Sequence, residues 1–477
     1  MFFYSKSSFN KITFLFPPKN IIKDLSLFIC IALCIHCLIT INNAKSNLNI
    51  NYFQVQSDIK LFFNNNINKK IRIGIYTHNL SNGGLQRITS ILVNYLEKFK
   101  IFKIYLFTQT NREIGEYEIS TNIKRVIIKK VTDVKYLIRK IKKTKINIFI
   151  YQFPIYNEIK ELNNLKNTKI IFYIHQSFFF WFYARLFNSL KIYQEYEKAK
   201  YIISLVPVET DYLFKKWGIN AILFENFLTY NYNSTIISNL SDKKILLIGR
   251  GKSLLKRFEL GITSMEYIKN EMIDAVLNII CKDQGIEYLK FFVNNLNLQE
   301  NIKFLNYSSD PSIYFKDASL NILTSISESF SLVLSETKLF GIPNILIGLD
   351  YVLLASNGTI IIYDDRPETL AKVALKILFK KLYKKLLARK ARISMKKFNN
   401  EDLIKKWIIL LLLSYNNCNI SEIYFKRIIN KRKKVYKIFK RQVELLKRRI
   451  PQLKNLTYED LENLHKTNFS SSIFNNL

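Results

Sequence analysis

The stretch Thr324-Ser325-Ile326-Ser327-Glu328-Ser329-Phe330-Ser331-Leu332-Val333-Leu334-Ser335-Glu336, followed by Gly341-Ile342-Pro343, decides the fold. Leu320 to Ile326 reads as a buried strand, and the apolar spacing from Ser331 to Phe340 reads as a helix. The serine-rich turn between them therefore joins strand to helix, as in a parallel α/β sheet. Glu328 falls on the turn and Glu336 inside the helix, so both can face a ligand lying over the helix N-terminus. There the free N–H groups of Ser331, Leu332 and Val333 suit an anion. The structural alternative makes Ser327 and Glu328 a capping pair and Glu336 an exposed helix charge.

Outward from this turn, short runs rich in Ile, Tyr, Phe and Val alternate with helical spacings, which predicts parallel sheets with crossover helices. One set of strands is Ile71 to His78, Lys103 to Gln109, Arg125 to Val131, Asn147 to Phe153, Lys169 to His175, Tyr201 to Pro207 and Ala221 to Phe227. A second set is Lys244 to Arg250, Ala275 to Cys281, Asn301 to Tyr307, Leu320 to Ile326, Ile342 to Gly348 and Thr359 to Asp365. Two Rossmann-like α/β domains facing across a cleft follow, residues 70–240 and 241–398. A helix at 399–416, rich in Leu and Ile around Trp407, is expected to pack across their junction. Residues 417–477 form a basic helical extension, with Lys431-Arg432-Lys433-Lys434 and Lys447-Arg448-Arg449 on the polar face of a helix from Ser421 to Arg449. That helix suits either an anionic surface or plain solvent.

Further candidates lie at strand ends. Gly83 and Gly84 follow the first strand and open a helical pattern, which lets backbone N–H groups approach a phosphate. Arg250 closes the first strand of the second set and Lys256-Arg257 follow, cations suited to a diphosphate. His175 ends a buried strand at the cleft side, where a core histidine is the alternative.

Composition narrows the function classes. The chain of 477 residues has 73 Lys and Arg against 37 Asp and Glu, a formal charge of +36. That charge favours anionic partners, yet there is no zinc, recognition-helix or aromatic RNA-binding signature, so nucleic acid is not an expected partner. Three of the five cysteines sit in one apolar run, which excludes a disulfide scaffold. That run, Leu25 to Ile41, is at the short end for a single span and predicts an uncleaved membrane anchor within residues 1–48, followed by a linker at 49–69. The alternative is a cleaved signal peptide, for which Thr40-Ile41-Asn42-Asn43-Ala44 lacks the small residue two positions before the cut. Lys6, Lys11, Lys19 and Lys23 before the run favour a cytosolic N-terminus and a lumenal catalytic part. Asn79-Leu80-Ser81, a glycosylation acceptor beside the cleft, argues for the opposite side.

The glycine pair with Arg87, the strand-end His175, Gly249-Arg250 with Lys256, and the glutamate pair ahead of Gly-x-Pro together resemble the retaining glycosyltransferases of family four, also called group 1. The resemblance runs from Ile71 to Tyr415. It implies the GT-B fold and a hexosyltransferase that uses a UDP- or GDP-sugar as co-substrate, with retention of configuration and no metal or other cofactor. Arg250 and Lys256 would hold the donor diphosphate, Glu328 the sugar hydroxyls and Glu336 the ribose. Gly83 and Gly84 would close over the phosphates, and His175 would sit beside the transferred sugar. Ser329, Phe330, Ser331, Leu332 and Val333 would line the donor. Ser329 and Ser331 stand where the family often has glycine, and Lys338 where a small residue is frequent. The acceptor, a glycan or a lipid-linked sugar, would meet the first domain, where Tyr151 to Glu158 and the aromatic run Phe178 to Tyr183 suit an apolar or sugar-stacking surface and core packing alike. The rival reading is a non-catalytic sugar- or nucleotide-binding protein on the same fold.

Overall fold

The computed structural model describes residues 70–81, 83–128, 134–177, 189–240, 243–250, 255–282, 285–308, 310–416 and 432–449. The first sheet consists of β1 (Ile71–Tyr76), β2 (Phe102–Thr108), β3 (Lys124–Ile127), β4 (Ile148–Tyr151), β5 (Lys169–Ile174), β6 (Tyr201–Ser204) and β7 (Ala221–Leu223). All pair in parallel, in the order β3-β2-β1-β4-β5-β6-β7. Between the strands run α1 (Gly84–Glu97), α2 (Val134–Lys143), α3 (Tyr156–Asn163), α4 (Ser189–Glu197) and α5 (Pro207–Trp217).

The second sheet holds β8 (Lys244–Arg250), β9 (Val276–Lys282), β10 (Ile302–Leu305), β11 (Ala318–Leu323), β12 (Asn344–Ile347) and β13 (Thr359–Ile362). It too is parallel, ordered β10-β9-β8-β11-β12-β13. Its helices are α6 (Phe258–Glu271), α7 (Ile286–Asn295), α8 (Leu332–Leu339) and α9 (Pro367–Phe379), followed by α10 (Lys381–Met395), α11 (Asn400–Tyr415) and α12 (Arg432–Arg449).

Both sheets are covered on two faces, which is why β4 (IFIY) and β11 (ASLNIL) are buried at every position. Gly74 in β1 solves a local packing problem: a Cβ there would stand 2.7 Å from the Phe149 ring, which crosses Phe107 edge-on at 5.2 Å. In each sheet the strand order reverses beside the first strand of its set, at β1 between β2 and β4 and at β8 between β9 and β11. The carboxyl ends at these two switch points are where an open α/β sheet binds its ligand.

Helix α11 returns from the second domain to the first. Asn400 exchanges two hydrogen bonds with the Leu228 backbone, at 2.7 and 2.8 Å. Trp407, fully buried, packs edge-on against Tyr173 and Phe224, at 5.2 and 5.3 Å between ring centroids. The apolar run Trp407 to Leu413 is thus spent on protein core.

The membrane expectation is corrected here. Among the described residues no helix is long and apolar enough to cross a membrane, so the single-pass localisation with a lumenal catalytic part is withdrawn. The segment Leu25 to Ile41 itself lies outside the described residues, as does the aromatic run Phe178 to Tyr183.

Candidate active site

The quoted stretch folds as a strand-turn-helix joint: β11 ends at Leu323 and α8 starts at Leu332. Ser331 is the N-cap, its hydroxyl accepting from the Leu334 N–H at 3.4 Å, with φ at +55°. A positive φ is a backbone conformation that favours glycine, and here a serine adopts it. The Phe330 side chain is fully buried against Phe398, so it is the backbone of Phe330 that can line a ligand.

Glu328 and Lys256 meet as an ion pair, and both side chains keep some access to the cleft. The Glu328 N–H donates to the Tyr351 hydroxyl at 3.1 Å, which anchors the turn to the segment after β12. Arg250 closes β8 with an exposed side chain and is no partner of Glu328 in this pair.

Glu336 points the other way along α8. It is buried and accepts from Arg87 at 2.9 Å and from the Thr229 hydroxyl at 2.8 Å. Burial pushes its carboxyl up from the ordinary value, against the pull of Arg87 and Thr229. Arg87 comes from the first domain, on α1 directly after the glycine pair, and its guanidinium lies near the Tyr117 and Tyr230 rings at 5.9 and 5.5 Å. Glu336 is therefore a buried interdomain contact as well as a candidate ribose ligand. Neither Thr229 nor Tyr230 carried a signal in the sequence, because the linker after β7 has no motif.

The two domains touch at the site itself. Ser177, two residues past His175, is 2.5 Å from the Ser327 hydroxyl. A Cβ on Gly84 would stand 3.3 Å from Leu332, so the glycine permits the close approach. Gly83 is extended, with φ at −173°, and caps α1 without a side-chain hydrogen bond. With no side chain on the cap residue, the N-terminus of α1 is approached by the Gln86 amide, whose Oε1 occupies the space that a Cβ on Gly83 would fill.

His175 sits opposite. Its Nε2 is 2.8 Å from Gln152 Oε1, while the Gln152 amide donates to the Tyr76 carbonyl at 3.1 Å and to Thr89 at 2.9 Å. With the amide nitrogen so engaged, Oε1 is the acceptor and His175 carries its proton on Nε2. Burial pushes this imidazole down to about 3, so it is neutral at physiological pH. It can accept at Nδ1, but it is not a cationic acid.

Along the same sheet edge, His78 stacks on Phe153 at 4.0 Å. His78 Nε2, Asn79 Oδ1, Thr110 Oγ1 and Gln176 Oε1 are all buried side-chain atoms without a hydrogen-bond partner. The glycosylation acceptor Asn79-Leu80-Ser81 is part of this packed edge, with Leu80 fully buried and Ser81 largely so. Tyr151 and Glu158, candidates for an acceptor surface, are instead buried and bonded to each other.

Residues 234–392 match the profile of the family described as Glycosyl transferases group 1. The chain carries a glycosyl transferases group 1 domain. A curated relative, an uncharacterized glycosyltransferase of Haemophilus influenzae, is 22% identical over 356 residues, 70% of this chain and 98% of the relative. Two solved structures share the fold. Sucrose-phosphate synthase from Thermosynechococcus elongatus has a TM-score of 0.61 at 15% identity, covering 73% of this chain and all of that one, 100%. Anabaena HepE, solved with UDP-glucose, has a TM-score of 0.58 at 12% identity, covering 72% of this chain and 99% of HepE. The chain therefore has the GT-B arrangement of two parallel-sheet domains, and the domain matched by the family profile contains Lys256, Glu328 and Glu336.

Proposed function

We propose that this glycosyltransferase moves a hexose from a UDP- or GDP-sugar to a glycan or lipid-linked acceptor with retention of configuration. The observation that carries the reading is the Lys256–Glu328 pair on one wall, with the glycine-capped N-terminus of α1, packed against Leu332, and neutral His175 on the other. HepE, which shares the fold, was solved with UDP-glucose.

In this mechanism the diphosphate takes Lys256 from Glu328 and lies between Lys256, Arg250 and the N–H groups of α1. Negative charge grows on the leaving phosphate as the bond to the anomeric carbon breaks, and these groups stabilise it. Glu328, released, accepts sugar hydroxyls beside the reacting carbon. Glu336 exchanges Arg87 for the ribose, and His175 Nδ1 accepts a hexose hydroxyl. The acceptor oxygen bonds to the anomeric carbon on the face the phosphate leaves, and its proton passes to a phosphate oxygen. The acceptor approaches along the His78–Phe153 edge, where the unpaired polar atoms suit neutral hydroxyls.

The test is a panel of UDP- and GDP-hexoses with glycan and lipid-linked acceptors, with product anomers read by NMR. Lys256→Ala and Glu328→Gln should each abolish turnover. Wild-type rates in both variants would sink the site, an inverted product would sink retention, and nucleotide binding without any transfer would favour the non-catalytic reading.

A further inference from the structure

Helix α12 lies beyond the residues that match the family profile, and its contacts with the second domain concentrate on two segments, those leaving β12 and β13 at the carboxyl edge. After β12, the Gln442 amide donates to the Gly348 carbonyl and, at 2.7 Å, to Asp350. Arg441 pairs with the same carboxylate at 2.7 Å. Leu445 is buried over Gly348, whose φ of +69° and lack of a Cβ make room for it: a Cβ there would stand 2.7 Å from the leucine. After β13, Arg449 grips Asp365 with two donors, Nε to Oδ2 and Nη2 to Oδ1, both at 2.8 Å. This two-pronged geometry is the strong form of an arginine–carboxylate pair. The helix also packs against α5 of the first domain.

The Asp365 contact continues into the donor site. Its Oδ1 also accepts from Arg257 at 2.7 Å. Arg257 in turn donates from Nε to the Thr324 carbonyl at 2.9 Å, and the Thr324 hydroxyl donates to the Lys256 carbonyl at 2.5 Å. Arg257 has a φ of +45°, a backbone conformation that needs outside support in a non-glycine residue. An unbroken line of hydrogen bonds thus runs from α12 through Asp365 and Arg257 to the backbone of Lys256. The helix also supplies the cations that balance Asp350 and Asp365, two acids on the edge where a diphosphate would bind.

We propose that α12 is part of the donor site, with Arg449 and Asp365 as positioning residues that hold the Lys256–Arg257 turn in the shape a diphosphate requires. The inference rests on the donor reading given above. Its test uses the full chain and calorimetric titration with UDP, GDP and ADP and with the parent nucleosides. A general loosening of the domain would weaken nucleoside and diphosphate alike, whereas loss of the turn's shape weakens the diphosphate alone. For R449M and D365N the expected result is about 10-fold weaker binding of the nucleoside diphosphate that wild type prefers, the size of one lost charge-assisted hydrogen bond. Nucleoside affinity should stay within about 2-fold, R449K should fall between, and exposed Lys440→Ala on the same helix should match wild type. Equal losses for nucleoside and diphosphate, or none for either, would overturn the inference. If wild type binds none of the three diphosphates, the donor reading itself fails, an outcome distinct from a wild type that binds while R449M binds equally well.

Discussion

The two walls of the cleft treat polarity differently. On the second domain, charges at the carboxyl edge are met by opposite charges: Lys256 by Glu328, Arg257 and Arg449 by Asp365, and Arg441 by Asp350. On the first domain, the corresponding edge has the Arg125–Glu116 pair, with Glu116 and Glu113 accepting from the Leu80 N–H and the Ser81 hydroxyl. The part around His78 and Phe153, however, holds neutral groups, and four buried atoms there, on His78, Asn79, Thr110 and Gln176, lack partners. A lysine that leaves its carboxylate for an anion keeps a charged partner, while the released carboxylate needs hydroxyls or water in its place. Unpaired neutral donors and acceptors instead gain from hydroxyls. The contrast suits an anionic donor on one side and a neutral polyol on the other, and it can be broken or sharpened by experiment.

The charged wall should give the largest effect. Lys256→Ala is expected to lower kcat by roughly 10²–10³, the cost of removing one preorganised charge-stabilising group, and a steady-state assay against the preferred donor measures it. Next comes the pair that crosses between the walls. Arg87→Ala leaves Glu336 buried and unpaired, so denaturant unfolding should show a loss of about 3 kcal/mol. Arg87→Ala combined with Glu336→Gln should recover part of it, and additive losses would refute the coupling. On the neutral wall, His78→Phe keeps the stacking on Phe153 but removes the ring nitrogens. It should raise the acceptor KM about 10-fold with the donor KM unchanged; a shift in donor KM would erase the distinction between the walls.

The smallest expected effect on activity concerns His175. With its pKa near 3, the pH profile of kcat should lack a histidine limb between pH 5 and 8, and a limb near 6.5 that disappears in His175→Gln would refute the neutral assignment. The stability sign follows from the same depression. Below about pH 6.5 the unfolded chain binds a proton that the folded chain refuses, so this residue's contribution to stability falls as pH drops toward 3 and is absent above 6.5.

Much of the fold was legible because parallel strands buried on two faces read as short apolar runs. Every run assigned as a strand overlaps one, and the differences are confined to the ends. The runs from Tyr201 and Ala221 stop early, at Ser204 and Leu223, because pairing with the neighbouring strand ends there. Glu328, Lys256 and His175 were legible from their places at strand ends. For Phe330 the sequence indicated the position on the turn but not the direction of the side chain, which points into the core and leaves only its backbone toward the cleft. For Tyr151 and Glu158 the sequence left surface and core open, and the structure places both in the core.

The sequence alone determined the alternation of strands and helices, the two sets, and the carboxyl ends where chemistry-bearing residues gather, because periodicity and turn residues are local properties of the chain. Only the tertiary structure decided which charges meet. Arg87 and Glu336 are 249 positions apart, and Arg449 and Asp365 are 84 apart. Such pairs depend on how the domains close and where the last helix lands, which no local pattern encodes. The same distinction applies to the glutamates of the opening stretch: eight residues apart, one faces Lys256 in the cleft, and the other is sealed between the domains by Arg87.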